Sequence, residues 1–200
     1  MLYSARYTQT TRAQYGDISP LITEDLTSIA NDSYHIAIVG PNGSGKIGIA
    51  KTLSEKTGYN YMVSDDFIAD LDPSVHDYRA KSALQIQPRT RNNATDAMYS
   101  MLDMVMEHKS PLIYVGSLVP RLLRAGLRDQ MYVPDTVIVV ECDENTLRLG
   151  HNMRNHSSKL QANLNAYKGQ KKVLNEWNEM LNKDMLIPYP LVLKLDTSVL

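Results

Sequence analysis

The stretch that decides the fold is HIAIVGPNGSGKIGIAK, residues 35–51. Its first five residues are a continuous apolar run, short enough for a strand and unbroken enough to be buried on both faces. Glycines follow at 40, 43 and 45, and beyond Lys46 the apolar residues take up helical spacing. Glycine accepts left-handed backbone and lets neighbouring atoms come close. A glycine-rich turn between a strand and a helix N-terminus therefore lets successive backbone N–H groups converge on an anion, where the helix dipole also favours negative charge. Gly, Gly and Lys at this spacing should arise by chance in about one chain of this length in twenty. The flanking strand and helix make the reading specific.

Four further apolar runs read as strands: YNYMV (59–63), LIYVG (112–116), TVIVVEC (136–142) and LVLKL (191–195). Helical patterns lie between them. KIGIAKTLSEKTG (46–58) puts Ile47, Ile49 or Ala50, and Leu53 on one side and stops at Gly58, a residue suited to the left-handed helix end. ATDAMYSMLDMVMEHK (94–109) repeats apolar residues at helical spacing, so Met98, Met101, Met104 and Met106 read as core packing. SLVPRLLRAGLRDQ (117–130) follows the third run, and residues 144–186 form a long helical region expected to break near 155–158 and at Gly169. LITEDLTSIAND (21–32) reads as an amphipathic helix, after a polar start with turn chemistry at Gly16 and Pro20. Strands alternating with helices predict an α/β fold on a parallel sheet. The expected organisation is a polar segment and helix over 1–33, packed on one domain over 34–200.

Composition bounds the function. A chain of 200 residues with 43% hydrophobic and 22% charged residues suits a globular domain with a full core. The net charge of −1 gives no global basic field, so nucleic acid is a possible but not favoured partner. The single cysteine, Cys142, excludes an internal disulfide and suits a reducing compartment, so a cytoplasmic location is expected. No apolar run reaches the roughly 18 residues of a membrane span, and MLYSARYTQTTRAQYGD lacks the apolar centre of a signal peptide. Twelve tyrosines stand against one Phe and one Trp.

GPNGSGK after HIAIV resembles the Walker A loop of the P-loop nucleoside triphosphate hydrolases and kinases. Other pieces, in their order, are similar to the small nucleoside and nucleotide kinases of that group. Asp65 and Asp66 in YNYMVSDDF lie just past the second strand, VIVVECDENTLRLGHNMR looks like a fourth strand leading into an arginine-bearing lid, and LKLDTS resembles a last strand beside the nucleotide base. The resemblance covers about residues 34–200. It implies a three-layer P-loop fold with five parallel strands in the order 2-3-1-4-5, helices on both faces, and ATP and Mg2+ as cofactors. The chain stops at DTSVL, where such kinases usually continue into another helix. Two other P-loop branches fit less well. A regulatory GTPase needs Asn-Lys-x-Asp, and in LNKDM Asp184 comes one place early; a motor of the AAA type needs a strand ending in Asp-Glu, and LIYVGSLVP runs into Gly116 and Ser117.

By that resemblance, Gly40, Pro41, Asn42, Gly43, Ser44, Gly45, Lys46 and Ile47 hold the triphosphate, with Lys46 at an exposed loop–helix junction reaching the β- and γ-phosphates. Asp65 or Asp66 is the general base for an acceptor hydroxyl, with Asp65 the first choice and the candidate metal ligand; the plainer reading is that the pair caps a helix starting near Phe67. Arg148 and Arg154 would close on the transferring group from the lid, or else solvate a helix face. Arg89 and Arg91, ahead of the next helix, and Arg121 and Arg124, after the third strand, would line the acceptor cleft. Four arginines there suit an anionic acceptor. His151 and His156 read as lid surface, since no spacing makes a zinc set.

One position departs from the pattern. A loop of this form carries Ser or Thr directly after the lysine, placing a hydroxyl on magnesium, and here that residue is Ile47. A water can replace the hydroxyl on magnesium, but isoleucine hinders it, being bulkier than Ser and unable to hydrogen-bond that water; Ile47 is expected to turn toward the sheet and leave the metal site partly open. Two readings follow: a kinase transferring the γ-phosphoryl group of ATP to a hydroxyl or phosphate of a nucleoside, nucleotide or related small anionic compound, or a weak or inactive nucleotide-binding protein on the same scaffold. A polynucleotide kinase is a third version. No residue pattern assigns an oligomeric state.

Overall fold

The computed structural model describes residues 7–12, 24–64, 88–129, 132–153, 160–183 and 190–198. Among them, six strands form one sheet: β1 (Tyr7–Arg12), β2 (His35–Val39), β3 (Asn60–Val63), β4 (Leu112–Val115), β5 (Thr136–Glu141) and β6 (Leu191–Asp196). Their order is β1-β6-β5-β2-β4-β3. The expected five-strand order is present as β3-β4-β2-β5-β6, and every pairing is parallel. The sixth strand, β1, was not anticipated. It lies parallel to β6, from Tyr7 opposite Val192 to Arg12 opposite Asp196, with a register shift between Thr10 and Arg12. The sequence YTQTTR lacks the apolar run that marks a central strand, and an edge position does not require one.

The helices are α1 (Glu24–Asn31), α2 (Lys46–Thr57), α3 (Pro88–Glu107), α4 (Val119–Arg128), α5 (Glu144–Met153) and α6 (Leu160–Lys183). α2 ends as expected at Gly58, whose φ of 74° lets its N–H reach the Ser54 carbonyl at 2.9 Å. α3 begins at Pro88, well ahead of the expected start at 94. Proline's fixed φ suits a first helical turn, and the polar residues after it gave no apolar period to read. Arg89 and Arg91 thus lie within α3, not ahead of it. α6 runs unbroken through Gly169, contrary to the expected break. Glycine costs a helix about 1 kcal/mol, and packing of Leu174, Trp177 and Leu181 in the core outweighs it. Residues 155–158, the other expected break, lie outside the described residues.

Alternate residues of the strands feed two cores. Ala37, Val39, Leu112, Tyr114, Val137 and Val192 pack with α3, α4 and α6. Ile36, Ile38, Ile113, Val115, Ile138, Val140, Leu193 and Leu195 pack with Leu26 and Ala30 of α1 and Ile49, Ala50 and Leu53 of α2. Burial on both faces explains why these strands read as continuous apolar runs. The methionine stripe splits: Met98 and Met101 are buried, whereas Met104 and Met106 are exposed. Among the described residues, no helix is long and apolar enough to cross a membrane.

Candidate phosphate-binding site

Because the strands are parallel, the loops leaving β2, β3, β4, β5 and β6 emerge at one edge of the sheet, the edge where ligands bind in open α/β sheets. The loop after β2 lies hard against β5. A Cβ on Gly40 would stand 2.8 Å from the Val140 carbonyl oxygen and 3.1 Å from Ser44 Oγ, so only glycine fits. Gly43 and Gly45 hold φ values of 96° and 83°. Gly45 is the N-cap of α2; among the described residues no side chain caps this end, and no acidic residue lies in the first turn. The positive end of the α2 dipole therefore favours an external anion here. Ser44 is 2% exposed, and among the described residues its hydroxyl has no hydrogen-bond partner.

Lys46 corrects one expectation. It is not at an exposed junction but only 4% exposed. Its Nζ donates to the Pro41 carbonyl and to Asn42 Oδ1, both at 3.1 Å, so the ammonium folds back over its own loop. Ile47 corrects another. It does not turn toward the sheet and is 44% exposed. The buried stripe of α2 runs through Lys46, Ile49, Ala50 and Leu53, and a residue one place after Lys46 is rotated out of that stripe.

The ends of β5 and β6 support the loop from below. The Thr197 N–H donates to the Glu141 carbonyl at 2.8 Å, and its hydroxyl donates to the Ser44 carbonyl at 3.0 Å, with the Glu141 carbonyl at 3.2 Å. The Asp143 N–H donates to Ser198 Oγ at 2.9 Å, while Asp143 Oδ1 accepts the Thr146 N–H at 2.7 Å and so caps α5. That backbone bond holds the Asp143 carboxyl below its usual range. Cys142 sits among these groups. Burial pushes its thiol up to about 12, against the opposing pull of Thr197 and Lys46, so it stays protonated at neutral pH.

On the other side, Ser64 follows β3 and Gly116 follows β4. Gly116 has a φ of 142°, and a Cβ there would overlap Ser64 Oγ, which also accepts the Leu118 N–H at 3.4 Å. β4 thus ends in a close glycine contact with the chain leaving β3.

The remaining candidates are placed unevenly. Asp65, Asp66 and Arg154 lie outside the described residues, although Ser64 brings the chain to the loop edge immediately before Asp65. Arg89 and Arg91 lie on α3 with side chains outside the described set, as does the side chain of His151 on α5; His156 is outside altogether. Arg121 is exposed at the start of α4. Arg124 donates to Glu176 of α6 at 2.6 Å, a tie between two helices. Arg148 donates to Glu144, one turn earlier on α5, at 2.5 Å. LKLDTS pointed to Thr197 only as part of the loop beside the nucleotide base, not as a partner of Ser44, and Asp143 was not singled out from the sequence. The Asp143–Thr146 spacing is a readable cap, but nothing local links Thr197 to a carbonyl 153 residues away.

The loop fits phosphate: its left-handed glycines, uncapped helix end and lysine supply donors and positive charge. The fit to magnesium is poor. The position that should offer a hydroxyl presents the alkyl side chain of Ile47, and among the described residues no three His, Cys, Asp or Glu gather to hold a metal.

A family model described as an AAA domain matches residues 36–177. No curated protein matches the chain. Among solved structures, the chain is similar to the shikimate kinase from Acinetobacter baumannii in complex with shikimate, at 14% identity and a TM-score of 0.51, covering 76% of this chain and 83% of that one. It is also similar to a gluconokinase from Sinorhizobium meliloti 1021, at 17% identity and a TM-score of 0.51, covering 74% and 91%. A sugar kinase from Janibacter sp. aligns at 16% identity and a TM-score of 0.50, covering 82% and 85%. At these identities the likeness establishes the P-loop kinase fold. The matched family carries the AAA name, while β4 of this chain runs into Gly116 and Ser117 where a motor of that type needs Asp-Glu.

Proposed function

The chain belongs to that AAA domain family, and from this premise we propose that it is an ATP-dependent phosphotransferase acting on a small hydroxyl compound. The observation that carries the reading is the pair of left-handed glycines, Gly43 and Gly45, opening the uncapped α2 beside Lys46. Nucleosides and nucleotides, together with shikimate and gluconate from the names of the similar folds, are the first acceptors to test.

ATP would supply the γ-phosphoryl group and leave as ADP. The loop amides and Lys46 would hold and neutralise the triphosphate, which is most of what phosphoryl transfer asks of a protein. Lys46 would leave Pro41 and Asn42 for phosphate oxygens, trading neutral acceptors for charged ones. Asp65 or Asp66 would take the acceptor's proton, Arg121 with Arg89 and Arg91 would attract an anionic acceptor, and Arg148 and Arg154 would act from the lid. Arg124 and Arg148 would first have to leave Glu176 and Glu144, which already hold them. No step is assigned to magnesium, since Ile47 offers it no ligand. That exposed side chain favours the second reading, a nucleotide-binding protein with little turnover on the same scaffold.

An ADP-release assay with ATP, magnesium and a panel of nucleosides, nucleotides, shikimate and gluconate separates the two. The kinase reading expects release that rises with one acceptor, and greater magnesium-dependent release from Ile47→Thr. Tight ATP binding with no acceptor-dependent release from either protein supports the second reading.

A further inference from the structure

We infer that Thr197 is a positioning residue for the phosphate loop, acting on it through the Ser44–Gly45 peptide. This rests on the phosphate-loop reading above. Thr197 is 6% exposed and stands at the end of β6, two strands away from β2 in the sheet. Its N–H already bonds the Glu141 carbonyl at 2.8 Å, and its hydroxyl has one proton to give. Of the two carbonyls it faces, that of Ser44 is the nearer, 3.0 Å against 3.2 Å to Glu141, and the Cys142 side chain is a further partner.

The consequence follows from peptide geometry. In a trans peptide the N–H points opposite to the carbonyl of the same unit. Holding the Ser44 carbonyl down toward β6 therefore turns the Gly45 N–H away from β6 and into the loop. Gly45, at φ 83°, is free to let that peptide rotate, because glycine has no Cβ to oppose the alternative. No side chain caps α2 to hold the turn from above. Thr197 supplies the constraint that the glycines lack. The next residue ties the same segment to the start of α5: Ser198 N–H bonds Asp196 Oδ1 at 2.9 Å, and Ser198 Oγ accepts from the Asp143 N–H, Asp143 being the cap of α5.

The test is calorimetric titration of ATP into the full chain, Thr197→Val, Thr197→Ser and Lys46→Ala, with the Gly45 amide followed by NMR. Thr197→Val keeps the side-chain volume and removes the donor. It should weaken ATP binding about tenfold, the worth of one lost hydrogen bond, and displace the Gly45 resonance in the free protein; Thr197→Ser should restore both. If Thr197→Val does not fold, Thr197→Cys, of similar size and a weak donor, is judged by the same two readouts. A variant that melts earlier but binds ATP like the parent, with Gly45 unmoved, overturns the positioning role. If that happens while Lys46→Ala loses ATP, the phosphate-loop reading stands without it. A parent chain that binds no ATP removes both.

Discussion

At the N-terminal ends of the strands, Asp135 ties the sheet to itself. Its Oδ2 accepts the N–H of Tyr34 at 2.9 Å and of His35 at 2.8 Å, its own N–H bonds the His35 carbonyl, and its carbonyl accepts the Leu191 N–H. The Ser33 and Thr136 hydroxyls meet at 2.7 Å, and the rings of Tyr34, His35, Tyr132 and Tyr114 pack in sequence. At the opposite ends the same strands deliver glycines at positive φ and a helix start without a cap. One end satisfies its backbone donors internally. The other starts α2 without a side-chain cap among the described residues, and Thr197 bonds the loop at the Ser44 carbonyl. The difference separates polar groups that bond one another from a helix start that offers its dipole to a ligand.

That contrast makes graded predictions. The largest effect belongs to Lys46→Ala, expected to weaken ATP binding about 100-fold by removing charge-assisted bonds to the triphosphate. Because Lys46 is buried and bonded to its loop, the apoprotein should also lose about 1 kcal/mol in urea unfolding. Unchanged ATP affinity in calorimetric titration would remove the phosphate site from this edge of the sheet.

A smaller effect is expected at the other end. Asp135→Ala leaves the Tyr34 and His35 N–H groups without their carboxylate and should cost about 2 kcal/mol in urea unfolding, with ATP affinity within about twofold of the parent. A large loss of ATP affinity in a protein that stays folded would show that the two ends are coupled.

The smallest effect is a pH dependence at His35. Burial lowers its pKa from the ordinary 6.5; Asp135 opposes this and His108 adds to it. The folded state therefore favours the neutral ring, and the unfolded chain takes up the proton first as pH falls. The stabilisation is complete above pH 6.5 and is lost as pH drops toward the folded-state value. Melting temperatures from neutral to mildly acidic pH should fall in the parent and fall less in His35→Gln. Equal slopes would assign the dependence to other groups.

The central sheet was legible because β2, β4, β5 and β6 are buried on both faces and so carry unbroken apolar runs. β1 was not, since an edge strand of Tyr, Thr and Gln has no such signal. The phosphate loop was legible because glycines, lysine and the strand–helix context lie within one short stretch. The burial of Lys46 was misread because it depends on how the ammonium folds back over its own loop, and the exposure of Ile47 because the buried stripe of α2 starts at Lys46, one place earlier than the apolar residues suggested. Thr197 was out of reach, because its partner is distant in sequence and the bond exists only once β6 has paired with β5. The excess of tyrosine finds a partial place in the structure, with Tyr34 and Tyr132 against His35 and Tyr114 against Tyr132.

The most direct test of the central claim is the amide spectrum of the full chain during ATP titration. The account predicts that the Gly43, Gly45 and Lys46 resonances move most and saturate together, while those of Tyr34, His35 and Asp135 stay in place. Saturable shifts centred on Tyr34, His35 and Asp135, or none at the glycines of the loop, would contradict it.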